Sequence, residues 1–131
     1  MSTPEETRAA GLAKMQEVYG FSADPDDLPG DYLAMTVDHL FGTVWTREAL
    51  DILDRRLLTM GVLAAQGQRD LMEIQFEAAL RREELTEDQV REIVLHLTHY
   101  IGWPLSTGLN QAAEKVIGRR ATAARVETGE A

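Results

Sequence analysis

The chain has 131 residues, no cysteine and a formal net charge of −9, from 22 acidic and 13 basic side chains. The lack of cysteine excludes disulfide bonds, thiolate metal sites and thiol nucleophiles, and the negative charge disfavours nucleic acid and anionic membrane surfaces as partners. This length predicts one domain, which we place at residues 1–118, and the lack of an 18-residue apolar run or a signal peptide predicts a cytoplasmic protein.

Capping residues and helical spacing predict four helices in the first half of the chain. The first begins after Thr3, which has a glutamate three residues on, and ends at Gly20. A loop rich in proline and aspartate follows, and a second helix is expected over residues 32–41 with Asp31 as its cap. The next two are a short helix in TREALDIL, capped by Thr46, and a longer one from Arg55 to about Gln66, capped by Asp54 and ended by Gly67.

The second half predicts three more helices. One covers about residues 69–83, and the next opens at a capping box of Thr86 and Gln89 and stops at Gly102. The last runs from about residue 105 to 118, after which the helical pattern is lost, so we expect residues 119–131 to fray. No segment alternates with a period of two residues, which predicts an all-α fold of six to seven helices.

The helix over residues 55–66 is apolar almost all round, which predicts a central position or cover by another subunit. Its polar residues Arg55 and Thr59 share one stripe, and Gln75 lies within the apolar face of the following helix. Two interpretations remain open. Either the stripe faces water, acidic neighbours or another subunit, or Arg55, Thr59 and Gln75 converge on a polar cavity where the guanidinium binds a carboxylate.

Histidines and tryptophans offer further candidates. His39 and His96 lie at the edges of apolar faces and are candidate proton carriers, although a histidine placed this way is more often structural. Trp45 lies at a helix boundary, where it either packs in the core or lines a pocket. Leu95 on a polar face, together with Trp103, indicates a subunit interface. No histidine pair has metal-ligand spacing with acidic residues in register, so no metal site is predicted.

Several motifs occur in a specific order: FGTVW, RRLLT, an alanine-leucine pair followed by threonine and glutamine, and H-x3-Y-x-G-x-P from His96 to Pro104. In these motifs the chain resembles the carboxymuconolactone decarboxylase family, which also contains the alkylhydroperoxidase D-like peroxidases. The resemblance covers roughly Arg8–Gly118. It implies an all-α fold assembled as homotrimers or homohexamers, and a cofactor-free site between helices. It also implies a small carboxylated substrate that loses carbon dioxide, leaving an anion to be protonated.

The resemblance suggests a role for each candidate residue. Arg55 would bind the substrate carboxylate and His96 or His39 would deliver the proton, while the substrate would be positioned by Thr59, Gln75, Trp45 and Tyr100.

The chain also departs from both branches of that family. The two cysteines of the peroxidases fall on Gln68 and Leu71, which excludes thiol peroxidase activity. The peroxidase glutamate falls on Arg56. Gln75 stands where both branches commonly have a histidine, and Thr43 where decarboxylases often have a carboxylate. Since an amide cannot transfer a proton near neutral pH, an oligomeric small-molecule-binding protein without catalytic activity remains the alternative.

Overall fold

The computed structural model describes residues 1–129, and within that range the regular secondary structure is entirely helical, with no β-strand. This confirms the all-α fold. The elements are α1 (Pro4–Tyr19), a 3₁₀ turn (Pro25–Asp27), α2 (Tyr32–Met35) continuing directly into a π-helical segment (Thr36–Val44), α3 (Ile52–Ala65), α4 (Arg69–Arg81), α5 (Glu87–Ile101) and α6 (Trp103–Thr128).

The helices group into two compact units, Met1–Arg56 and a second that begins at Leu57. The sequence predicted a single domain over residues 1–118. The division falls inside the continuous helix α3, where no loop or change of composition marks it. The single domain over residues 1–118 stays a prediction.

Glycines allow α1 to pack closely against the π-helical segment in the first unit. A Cβ on Gly11 would lie 2.1 Å from the Val37 carbonyl oxygen, and one on Gly42 would lie 2.8 Å from the Thr7 carbonyl oxygen. Both distances are too short for any side chain. The contact encloses an apolar core of Met15, Val18, Val37, Phe41 and Trp45.

The π-helical segment was not predicted from the sequence. The Trp45 N–H donates to the Leu40 carbonyl at 2.9 Å, five residues back, where an α-helix would bond four residues back. Residues 32–41 were predicted as one α-helix capped by Asp31, but α2 has four residues and receives no side-chain cap from Asp31. Apolar spacing over so few residues does not distinguish an α-helix from this wider turn.

Two further cap predictions, Thr46 and Asp54, are wrong: the first residue closes the preceding segment, and a neighbouring aspartate takes the place of the second. The Thr46 hydroxyl donates back to the Gly42 carbonyl at 3.0 Å, so it closes the preceding π-helical segment, and TREALDIL forms turns until α3 begins. The Asp54 N–H donates to Asp51 Oδ1 at 2.8 Å. Asp51 therefore caps α3, which begins three residues earlier than predicted, at Ile52.

In the second unit α6 packs against both α4 and α5. The predicted capping box of Thr86 and Gln89 and the stops at Gly67 and Gly102 are confirmed. The helix α6 does not fray after Gly118 but continues to Thr128. Its later turns are rich in alanine and arginine, which favour helix, and ion pairs tie it to α4: Lys115 to Glu73 at 3.2 Å and Arg120 to Glu77 at 3.4 Å.

The apolar face of α3 is not fully covered within one chain. Leu58 is 64% exposed and Val62 55% exposed, although the sequence predicted a central helix. These side chains are one turn apart on the same helix face. The prediction of burial therefore fails for this face in the isolated chain.

The close glycine contact predicts a sharp difference between two substitutions. Gly11→Ala forces a methyl group against the Val37 carbonyl and should lower the free energy of unfolding by about 2 kcal/mol. Gly118→Ala in α6 meets nothing within 4 Å and should raise it by about 0.5–1 kcal/mol, because alanine is the better helix former. Urea unfolding of both variants measures the difference, and a neutral Gly11→Ala would contradict the packing described.

Candidate functional site

One face of α5 forms the wall of a groove in the second unit. Residues at positions i, i+3, i+4, i+7 and i+8 share a face of an α-helix, and in α5 those positions are Gln89, Glu92, Ile93, His96 and Leu97. With Leu57 and Leu85 they line an open groove of about 510 Å³, a volume suited to a small organic ligand. Val90 and Val94 lie on the neighbouring stripe of α5 and are buried. Their burial leaves the face that carries His96 to form the wall of the groove.

The groove combines aliphatic walls with one proton carrier. Four of its seven lining side chains are leucine or isoleucine, and the polar ones are Gln89, Glu92 and His96. Oε1 of Gln89 accepts the Thr86 N–H at 2.9 Å. An imidazole donates or accepts a proton near neutral pH, so His96 is the residue of this groove able to carry out acid–base chemistry there.

Tyr100 lies one turn beyond His96 on α5. The two rings have centroids 5.1 Å apart and are tilted by 38°. Tyr100 itself is 78% exposed. The contact between the two rings therefore lies at the protein surface. His99 faces elsewhere, with its Nδ1 2.8 Å from the Leu95 carbonyl oxygen and its ring against Trp103.

The two adjacent arginines of α3 bind backbone carbonyls. Arg56 is fully buried, and its Nη1 donates to the Val18 carbonyl at 2.8 Å, near the C-terminal end of α1 where helix carbonyls lack helical partners. Arg55 is half-buried, and it donates from Nε to Leu50 O at 3.2 Å and from Nη2 to Arg47 O at 3.1 Å. The fully buried guanidinium of the pair is that of Arg56, while the role of Arg55 in a carboxylate-binding pocket stays a prediction.

Trp45 belongs to the core of the first unit. Its ring stacks on Phe41 at 5.9 Å, and Phe41 meets Tyr19 edge-on at 5.2 Å. Burial raises the pKa of the Tyr19 phenol, and the positive charge of Arg56 acts in the opposite direction. Of the two arrangements considered for Trp45, the structure therefore shows core packing.

The remaining predicted residues are distributed over both units. His39 is exposed on the π-helical segment of the first unit. Thr59 is half-buried on α3 and Gln75 is 2% exposed on α4, both in the second unit. The buried polar residues of α3 and α4 are thus Arg56 and Gln75. These are the two positions where the resemblance places the peroxidase glutamate and histidine.

Of the seven residues that line the groove, only His96 was predicted as a site residue. Glu92 is four residues before His96, and that spacing was available in the sequence. Glu92 was instead predicted to lie on the polar side of the helix. Leu57 was assigned to the core, and Leu85 lies outside every predicted helix. No local pattern links these two leucines to α5.

The π-helical segment is held by an ion pair across the first unit. Arg8 donates to both carboxylate oxygens of Asp38, from Nε to Oδ1 and, at 2.9 Å, from Nη2 to Oδ2. The bidentate hydrogen bonds to Arg8 lower the pKa of Asp38 below its usual range. This contact fixes the segment that carries His39 and Thr43 against α1.

Comparison with known proteins now assigns the chain to a family. Residues 30–115 match the model of the carboxymuconolactone decarboxylase family. The chain belongs to this family. The matched range begins just before α2, ends within α6 and includes the whole α5 groove, and the helical architecture agrees with the alkylhydroperoxidase D-like fold that the resemblance implied.

Two family relatives carry names of decarboxylases. The chain is 31% identical over 91 residues to 4-carboxymuconolactone decarboxylase from Acinetobacter baylyi, covering 70% of this chain and 67% of the relative. It is 36% identical over 83 residues to nitrosuccinic acid decarboxylase npaB from Metarhizium robertsii, covering 63% of this chain and only 56% of the relative. No solved structure matches the chain.

Within residues 1–129 no three or more histidine, aspartate or glutamate side chains are grouped as metal ligands. None of the helices in the same range is both long enough and apolar enough to span a bilayer.

The Asp38 ion pair predicts a pH-dependent stability. Because the pKa of Asp38 is lowered in the folded state, its contribution is present above the unfolded pKa of about 3.9 and is lost as pH falls through the lower folded value. The Asp38 side chain is 39% exposed, so we expect the ion pair to contribute only about 0.5–1 kcal/mol to the free energy of unfolding. At pH 6 the free energy of unfolding, measured with urea, should be larger for the wild type than for Asp38→Asn by this amount. The difference between the two proteins should disappear below about pH 3. A gap that is constant with pH would contradict the ion pair.

Proposed function

We propose that this chain catalyses the cofactor-independent decarboxylation of a small carboxylic acid in the α5 groove. The observation that carries the proposal is the single imidazole, His96, set among aliphatic walls in a groove of about 510 Å³. Membership of the family and the names of both relatives support decarboxylation as the reaction.

The chemistry requires a substrate that can hold an electron pair. When the bond to the carboxylate breaks, carbon dioxide leaves and both electrons stay on the substrate carbon, which then takes one proton. The names of the two relatives describe acids of this kind, a carboxylated lactone and a nitro acid, because a conjugated carbonyl or a nitro group delocalises the negative charge. We therefore propose a small acid whose carboxylate lies beside such a group.

The groove suits both steps of this reaction, the loss of carbon dioxide and the protonation of the substrate carbon. The aliphatic side chains disfavour the localised charge of a carboxylate more than the spread charge of the carbanion, which lowers the barrier to loss of carbon dioxide. His96 then donates the proton to carbon and regains it from solvent. Tyr100 packs against the imidazole and orients it.

The other candidate residues keep their proposed roles. These residues are not among those that line the α5 groove, and their roles stay separate predictions: Arg55 as the carboxylate-binding residue, His39 as the alternative proton donor, and Thr59 and Gln75 as positioning residues. Two donor groups of Arg55 already bind the carbonyls of Leu50 and Arg47, so a carboxylate would use its remaining guanidinium face or displace one of these contacts.

Gln75 favours a second candidate function. It stands where the resemblance places a histidine, it is almost completely buried, and its amide cannot exchange a proton near neutral pH. A family member that kept the groove and lost the proton chemistry would be a small-molecule-binding protein. Saturable binding without release of carbon dioxide distinguishes this function from the first.

We also propose that the chain assembles with itself as a homotrimer or homohexamer. Four large apolar side chains are between 53% and 64% exposed in the single chain. They are Leu58 and Val62 on α3, Leu95 on α5 and Trp103 at the start of α6. Contact with other copies would remove this apolar surface from water.

The assembly proposal predicts a mass of three or six times 14.6 kDa in light scattering. Introducing charges in the double variant Leu58→Glu, Val62→Glu should lower the mass, because burying a carboxylate without a partner is costly. The matched control Val126→Glu, also at an exposed apolar residue, should leave it unchanged. A monomeric wild type would contradict the proposal.

The proton-donor role predicts unequal effects of the three histidines. With 4-carboxymuconolactone and nitrosuccinate as test substrates, His96→Gln should lower kcat at least about 100-fold, because it removes the acid. His99→Gln, whose ring is held by the Leu95 carbonyl and Trp103, should stay within about twofold of the wild type. The measurement is release of carbon dioxide, and a full loss in His39→Gln with an active His96→Gln would move the donor to His39.

A further inference from the structure

The face that α6 buries in the second unit continues beyond the helices that cover it. The buried residues of α6 end at Ile117, whereas the helix continues for about three more turns. Near the C-terminal end of α4, Glu77 pairs with Arg120 at 3.4 Å. Near the N-terminal end of α5, Arg91 pairs with Glu114 at 2.9 Å. Both covering helices therefore end at about the level where the burial of α6 stops.

The turns of α6 beyond that level carry a short face that lines a groove. Positions i, i+3, i+4 and i+7 share one face of an α-helix. In these turns they are Arg120, Ala123, Ala124 and Glu127, which we call the α6 patch. The patch continues the buried face, because the buried Val116 is four residues before Arg120. Together with Arg119 and Glu77, the patch lines a groove of about 540 Å³.

The α6 patch is complementary to a second copy of itself. When two such helices pack antiparallel about a twofold axis between Ala123 and Ala124, residues at equal distances from the axis face each other. Arg120 and Glu127 are each about 5 Å from that axis, at about 1.5 Å per residue. Arg120 of each copy therefore faces Glu127 of the partner subunit, and the alanines let the helix axes approach to about 8 Å.

We propose that the α6 patch is a self-association surface whose partner is the α6 patch of a second copy of this chain. The charges favour this partner. The groove lining contains two arginines and two glutamates, so it is neutral, whereas the whole chain carries −9. Copies of an acidic chain repel each other, and a neutral surface with alternating charges is where they approach at least electrostatic cost.

A contact between two helix ends is small and needs support from other contacts. We expect it to bury less than about 1,200 Å², the lower limit of stable interfaces. Three such contacts acting together would join two trimers, and an assembly with threefold and twofold axes closes as a hexamer. The inference therefore rests on the self-assembly proposed above and selects the homohexamer from its two sizes.

A single introduced cysteine tests the contact directly, because the chain has none of its own. Under mild oxidation Ala124→Cys should form a disulfide-linked dimer on a non-reducing gel, since the two thiols meet across the twofold axis. The matched control Ala121→Cys lies about 110° around the helix from the centre of the patch and should cross-link at least about fivefold less. Val126 lies about 110° to the other side, so the Val126→Glu control used above leaves the patch intact.

Charge reversal tests the proposed register. Glu127→Arg places arginine against arginine at both ends of the contact, and it should lower the yield of the Ala124→Cys dimer about three- to tenfold. Adding Arg120→Glu to that variant restores opposite charges across the axis and should recover most of the yield. In light scattering, the wild type should have six times the chain mass and Glu127→Arg three times.

Three results would overturn the proposal: equal cross-linking of Ala124→Cys and Ala121→Cys, a yield unaffected by Glu127→Arg, or a trimeric wild type in which Ala124→Cys stays uncross-linked. The last result would leave the patch to a different partner and keep the α3 contact. The failure of the α3 contact has a separate signature, in which Leu58→Glu, Val62→Glu keeps the wild-type mass while Glu127→Arg lowers it.

Discussion

The burial of Val90, Val94 and Thr98 by α5 is the constraint on which the candidate site depends. Because an α-helix has a fixed number of residues per turn, burial of one face of α5 determines the direction of its other faces. The stripe adjacent to the buried one carries His96 and Glu92. The reciprocal hydrogen bonds of Thr86 and Gln89 fix where this helix begins, and Gln89 also forms part of the groove wall. Folding and site formation thus share the same residues.

The adjacent arginines illustrate how a buried charge can have a structural explanation. Arg56 satisfies a carbonyl at the end of α1, and Arg55 satisfies two carbonyls in the turns before α3. A guanidinium has five donors in a planar fork and retains its charge when buried, so it is well suited to collecting backbone carbonyls that helices leave without partners. The first turn of α3 is therefore held in the first unit by polar contacts, beside the aromatic core of that unit.

Much of the fold was predictable because its signals are local. The Thr86 capping box, the stops at Gly67 and Gly102 and the absence of strands all follow from residues within a few positions of each other. The π-helical segment could not be predicted, because it depends on Gly11 and Gly42 meeting carbonyls of a distant element. Similarly, the burial of Arg56 in preference to Arg55 depends on where α1 ends in space.

The site was predictable in part. The motif H-x3-Y gave His96 and Tyr100, whose rings do pack together, while Leu57 and Leu85 join the groove only through tertiary packing. Gln75, at the position where the resemblance expects a histidine, is buried on α4. If proton transfer persists in this chain, the account requires it to occur on α5, at His96.

Residue-specific carbethoxylation with mass spectrometry tests that requirement most directly, since the chain has three histidines and each can be followed separately. The account predicts that saturating nitrosuccinate slows modification of His96 and leaves His39 and His99 reacting at their original rates. Protection of His39 alone, or equal reactivity of all three with and without the acid, would contradict a binding site on α5.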